Sequence, residues 1–130
     1  MNTGKVFMFP GQGSQMRGMG ADLFDQHHEL VTQADEILGY SIKELCLQDP
    51  QNVLTRTDFT QPALFTIEAM SYLSEMENAV SAPDYVIGHS LGEFAALFAA
   101  GVFDFATGLT LVKKRGSLMA SAPGGGVWPL

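Results

Sequence analysis

Ser90 stands at the centre of Gly88-His89-Ser90-Leu91-Gly92, and the apolar stretch Tyr85-Val86-Ile87 runs straight into it. The two glycines leave room for a tight strand-to-helix turn that side chains at either position would crowd. Such a turn lifts a serine hydroxyl out of the backbone. It also aims the free N–H groups and positive end of the following helix at any oxygen that becomes charged there. That is the arrangement a serine acyl-transfer nucleophile needs. A second glycine-rich stretch, Gly11-Gln12-Gly13-Ser14-Gln15, follows the apolar run Lys5-Val6-Phe7-Met8-Phe9-Pro10. In open α/β sheets ligands bind beyond the C-terminal ends of strands. The Gln12 side-chain amide is then a candidate N–H donor to an oxyanion, with a plain turn as the alternative. A phosphate loop is set aside because the Lys-Ser/Thr ending of that pattern is missing.

A serine hydroxyl needs a base. His89 adjoins Ser90, but neighbours across a sharp elbow point apart. His27 and His28 share a polar helical stretch with Asp25 and Glu29 and read as a solvated face. No convincing base is present. Arg115 lies three and four residues from Leu111, Val112, Leu118 and Met119, which places it on an apolar stripe. A guanidinium there needs an anion beside it. Two partners fit equally: an internal carboxylate such as Glu93, or a substrate carboxylate gripped by paired hydrogen bonds. Lys113 and Lys114 read as solvent-facing, and Cys46 as core.

These groups require elements to hold them. Lys5–Phe9 and Tyr85–Ile87 read as buried strands. Residues 21–38 read as one helix stopped by Gly39, and residues 41–47 as a short one. Residues 49–60 read as a connecting loop, followed by a helix with Pro62 in its first turn. Residues 91–100 are apolar almost all round and read as a buried helix, and Asp104 caps a last helix running to about Ala120. Strands alternating with helices predict α/β architecture with a mainly parallel sheet. Pro123-Gly124-Gly125-Gly126 reads as a break before a short tail.

Hydrophobic residues make up 46% of the 130 residues and charged residues 16%, as in a packed domain. The formal net charge of −7 and the absence of a basic cluster beyond Lys113-Lys114-Arg115 argue against nucleic-acid binding. One cysteine excludes an intrachain disulfide and fits a reducing compartment. With no apolar run of membrane-spanning length and no signal-peptide pattern, a cytoplasmic protein without membrane contact is expected. No metal-ligand spacing is evident.

Five segments together resemble the malonyl-CoA:acyl carrier protein transacylase family: Phe9–Gln15, Thr60–Leu64, Gly88–Glu93, Ala100–Phe105 and Arg115-Gly116. The resemblance runs from about residue 4 to about residue 122, and Gly39–Cys46 looks like freestanding acyltransferases that serve polyketide synthases. It implies a hydrolase-like α/β large subdomain with a mainly parallel sheet, here incomplete. Residues 1–123 would be its N-terminal part and 124–130 a divergent tail, with the family's ferredoxin-like small subdomain absent. It implies transfer of malonyl from coenzyme A through a Ser90 ester to the phosphopantetheine thiol of an acyl carrier protein, in polyketide or fatty acid biosynthesis. Coenzyme A thioester is substrate, and no cofactor is expected. Gln12 and the Leu91 backbone N–H match the oxyanion donors. Arg115 matches the arginine that binds the malonyl carboxylate, His89 a pocket-lining position, and Gln61 a pocket element of open role.

The family's catalytic histidine lies further along than this sequence reaches. The chain is therefore expected to be a truncated N-terminal portion, holding the nucleophile without its base. Loss of a triad base costs on the order of 10⁴–10⁶ in rate. Two alternatives stand beside transfer. One is a proofreading acyl hydrolase of the same family, which predicts loss of the arginine at 115. The other is a non-catalytic fragment that docks a carrier protein.

Overall fold

A computed structural model describes residues 6–9, 18–78, 85–88 and 91–121 of the chain, with backbone alone at 6–9, 78 and 85–88. The elements run β1 (Val6–Phe9), α1 (Ala21–Gln26), α2 (His28–Leu38), α3 (Ile42–Leu47), α4 (Thr57–Asn78), β2 (Tyr85–Gly88), α5 (Gly92–Ala99) and α6 (Phe105–Ser121). β1 and β2 pair in parallel, with Val6 opposite Tyr85 and Phe9 opposite Gly88. Among the described residues the sheet consists of these two strands. The two strands run in the parallel direction expected. The tail 124–130 lies outside the described residues.

Local chemistry sets the element ends. Gly39 closes α2 in the left-handed region at φ 83°. The Lys113 ammonium of α6 then donates to the Ile37 carbonyl at 2.9 Å, which suits the negative end of a helix. Ser41 caps α3: its hydroxyl accepts the Glu44 N–H at 3.1 Å, while Asp35 Oδ1 accepts the Ile42 N–H at 2.9 Å. Ser41→Ala is expected to lower stability by about 1 kcal/mol, read as a shift in the urea midpoint. Asp104 caps α6 as expected, accepting the Thr107 N–H at 2.8 Å, and that bond holds its carboxyl below the ordinary carboxylate range.

Four expectations are corrected. The single helix over 21–38 is broken at His27, whose backbone leaves the helical region (φ −125°, ψ 55°). His27 is buried, at 8% exposure, not solvated, and its Nε2 lies 2.7 Å from Ser74 Oγ of α4. His28 is exposed, as expected. The loop ends earlier than predicted, because α4 starts at Thr57 and Pro62 falls inside it. Asp49 braces the loop by accepting from the N–H groups of Val53 and Leu54 at 2.8 and 3.1 Å. The Thr60 hydroxyl donates to the carbonyls of Leu54 and Arg56, tying loop to helix. Finally, α5 is not wholly buried: Leu91, Ala95 and Ala96 face the core, but Leu97 is exposed.

The core lies between α4 and α6. Phe65 of α4 is fully buried, stacked on Phe105 with ring centres 5.7 Å apart and edge-on to Phe98 at 6.3 Å. Gly116 lets α6 approach the start of α4 closely. A Cβ there would stand 3.3 Å from Asp58 Cα and from the Thr57 carbonyl oxygen. Pro62 has no N–H for the Asp58 carbonyl one turn earlier, so the helix is open where Gly116 packs. Cys46 is fully buried, and burial, with Asp49 nearby, pushes its thiol up to about 12. Among the described residues no helix is long and apolar enough to cross a membrane.

Candidate functional site

The pairing of Phe9 with Gly88 sets the C-terminal ends of the two parallel strands side by side. Gln12 follows one end and Ser90 the other. Gln12, His89 and Ser90 themselves lie outside the described residues. Leu91, directly after the serine, is fully buried and stands at the N-terminus of α5 with helical backbone angles (φ −55°, ψ −34°). The segment after Ser90 thus turns at once into a helix, as the glycine-framed pattern predicts. The helix start leaves N–H groups without carbonyl partners, a setting that favours negative charge.

Arg115 is half-buried on α6. Its stripe differs from the one expected. Val112 is buried, but Leu111 and Leu118 are 45% and 50% exposed, so the guanidinium sits at the rim of the core. Its Nη1 donates to Gln61 Oε1 at 2.9 Å. Its carbon Cζ lies 5.4 Å from the centre of the Phe94 ring on α5. Gln61 is 1% exposed, and its Nε2 donates to Met119 Sδ at 3.0 Å. Three elements therefore converge on one cation: α4 through Gln61, α5 through Phe94 and α6 through Arg115 itself.

Among the described residues no carboxylate pairs with Arg115. Glu93 is exposed. The ion pairs among the described residues join Lys43 with Asp25 and Arg56 with Asp58, not Arg115 with a carboxylate. A neutral amide and an aromatic face hold the guanidinium without neutralising it. Phe94 and Gln61 were reachable from sequence only as pattern positions. Their convergence on Arg115 spans 21 and 54 residues of chain.

One buried group escaped the sequence reading. Glu68 of α4 is 6% exposed, and neither carboxyl oxygen has a hydrogen-bond partner among the described residues. Burial pushes its carboxyl up to about 8. The available signal was a charged residue set among the apolar Leu64, Ile67 and Met70.

A family model for the acyl transferase domain matches residues 6–127. The chain belongs to the acyl transferase domain family. It is 59% identical over 122 residues to a polyketide biosynthesis malonyl CoA-acyl carrier protein transacylase of Bacillus subtilis, covering 94% of this chain and 42% of that protein. It is 54% identical to the malonyl CoA-acyl carrier protein transacylase of Synechocystis, covering 92% of this chain and 41% of that one. Among solved structures, the malonyl CoA-acyl carrier protein transacylase of Burkholderia pseudomallei superposes with a TM-score of 0.88 at 56% identity, over 90% of this chain and 40% of its own. A malonyl-transacylase solved in complex with a type II polyketide acyl carrier protein superposes at 0.82, with 40% identity, over 90% of this chain and 39% of that one. The chain thus spans about two fifths of the length of these acyl transferase relatives.

Proposed function

We propose that this chain forms the nucleophile-bearing part of a malonyl-CoA:acyl carrier protein transacylase serving polyketide or fatty acid biosynthesis in the cytoplasm. In this reading the β1–β2 pair belongs to a hydrolase-like, mainly parallel sheet. The observation that carries it is Arg115: a half-buried cation at the core's rim, held by an amide and a ring, with no carboxylate paired to it among the described residues. A free carboxylate on the substrate supplies the missing anion, and malonyl is a short acyl group that carries one. The names of the relatives support the same substrate.

The reaction then runs in two transfers. The Ser90 oxygen attacks the thioester carbonyl of malonyl-CoA. The Gln12 amide and the Leu91 N–H receive the negative oxygen. The carbon–sulfur bond breaks, coenzyme A leaves as the thiol with the proton that Ser90 gave up, and malonyl stays as a seryl ester. The carrier protein's phosphopantetheine thiol attacks that ester next, and Ser90 recovers a proton as its bond to the acyl carbon breaks. Throughout, Arg115 grips the distal carboxylate, and His89 lines the pocket. The His27 imidazole is engaged by Ser74, so the proton relay is assigned to the histidine that the family carries further along. The chemistry needs no cofactor, since coenzyme A arrives as part of the substrate. The hydrolase reading predicted loss of the arginine at 115 and is set aside because that residue is present.

Intact mass spectrometry after incubation with malonyl-CoA tests the proposal. A single malonyl adduct is expected on the chain and none on Ser90→Ala. An adduct that survives in Ser90→Ala overturns it, and no adduct on the unaltered chain after prolonged incubation favours the non-catalytic fragment that docks a carrier protein.

A further inference from the structure

The grip on Arg115 contains a detail that the transfer reading does not require. Gln61 has an oxygen that only accepts and a nitrogen that only donates, and its amide can turn over about its last torsion. One orientation offers the oxygen to Arg115 Nη1, as observed at 2.9 Å. The other would set donor against donor. The group beyond the amide selects between them. Met119 Sδ is an acceptor without a donor, so it takes the Nε2 end, at 3.0 Å. Met119 is one turn beyond Arg115 on α6, so one helix face clasps the buried amide from both sides. Phe94 bears on the guanidinium from α5, with its ring centre 5.4 Å from Cζ. A ring at that range favours a cation near its face and limits where the planar fork can swing.

We propose that Met119 and Phe94 are positioning residues for Arg115: the sulfur fixes the Gln61 amide in its accepting orientation, and the ring fixes the guanidinium. Both act through the arginine and not on the acyl group. This rests on the reading of Arg115 as the carboxylate clamp. It deepens that reading by naming what aims the clamp.

The distinguishing measurement is a ratio. Malonyl-CoA and acetyl-CoA share the thioester and the coenzyme, and only malonyl-CoA carries the carboxylate. A residue that merely supports the fold weakens both alike, whereas one that aims Arg115 weakens only the first. Dissociation constants for the two thioesters are measured by calorimetry on the full chain and on Met119→Leu, Phe94→Leu, Phe94→Tyr and Arg115→Ala. Met119 and Phe94 are only partly buried, so the leucine variants fit their sites. Arg115→Ala is expected to abolish the preference for malonyl-CoA. Met119→Leu and Phe94→Leu are each expected to reduce it roughly three- to tenfold, in line with losing one modest polar or cation–ring contact. Phe94→Tyr, which keeps the ring, is expected to retain it. If Arg115→Ala abolishes the preference while both leucine variants stay within twofold of the unaltered chain, the positioning roles are overturned and the clamp stands. A leucine variant that weakens both thioesters equally also overturns the role of that residue. If Arg115→Ala leaves the preference intact, or neither thioester binds, the clamp itself falls, and the positioning roles with it.

Discussion

Glu68→Gln is expected to raise the urea midpoint at pH 8 while leaving it nearly unchanged near pH 4. The cause is a carboxyl group that folding takes out of water with no partner among the described residues: 6% exposed, both oxygens unbonded there. Its folded-state value stands at about 8 against an ordinary 4.5, with burial as the cause. Below about pH 4.5 the group is protonated in both states, and the fold has its full stability. Between 4.5 and 8 the unfolded chain has released the proton while the folded chain retains it, so the unfolded state gains with each unit of rising pH. Each unit is worth about 1.4 kcal/mol, so on the order of 4 kcal/mol is lost across the window. Glutamine mimics the protonated carboxyl and cannot ionise, which removes the slope. Glu68→Met has no polar group to desolvate and should be the more stable variant throughout. Parallel midpoint curves for the unaltered chain and Glu68→Gln from pH 4 to 8 would show that the carboxyl is solvated after all.

Glu68 also marks where sequence reasoning reaches its limit. The spacing of Leu64, Ile67, Met70 and Leu73 marks one apolar face of α4, yet Ile67 and Leu73 are half-buried whereas the neighbouring Glu68 is buried. The stretch Asp25-Gln26-His27-His28-Glu29 is polar throughout, so nothing in it marks the break between α1 and α2. The backbone turn there is secured by Ser74, 47 residues away. Pro62 is a fair helix-start signal on its own. The true start is set by Asp49 and Thr60, whose side chains organise the loop before it. Local signals fared better where the physics is local: the Asp104 cap, the Gly39 stop, and the strand that ends just before Ser90. Arg115 stands between the two cases. Its place near the core follows from helical spacing. Gln61 and Phe94 meet it only through the packing of α4, α5 and α6.

That packing is tested at Gly108, where α6 crosses α4. A Cβ at this position would stand 2.6 Å from Phe65 Cζ and 2.6 Å from Phe103 Cε1, so one or both rings must move. Gly108→Ala gains up to about 1 kcal/mol in helix propensity but overpacks the seam by about 1–3 kcal/mol. A net loss of about 1 kcal/mol is expected. Phe65→Ala alone removes a fully buried ring, stacked on Phe105 and edge-on to Phe98, and should cost about 3–5 kcal/mol. In the double variant the added methyl enters space that the ring has vacated, so the two losses should not add. Urea midpoints are expected to show the pair more stable than the sum of the singles by about 1 kcal/mol or more. Strict additivity would mean that the ring and the glycine do not share that space. The crossing lies two turns along α6 from Arg115, and Gln61 is one turn along α4 from Phe65. A wedge at Gly108 should therefore draw the guanidinium from the amide as well. Under the proposed carboxylate-clamp reading of Arg115, Gly108→Ala alone should cut a preference for malonyl-CoA over acetyl-CoA more than its small stability cost accounts for, because the seam it wedges also carries the 2.9 Å contact between Arg115 and Gln61.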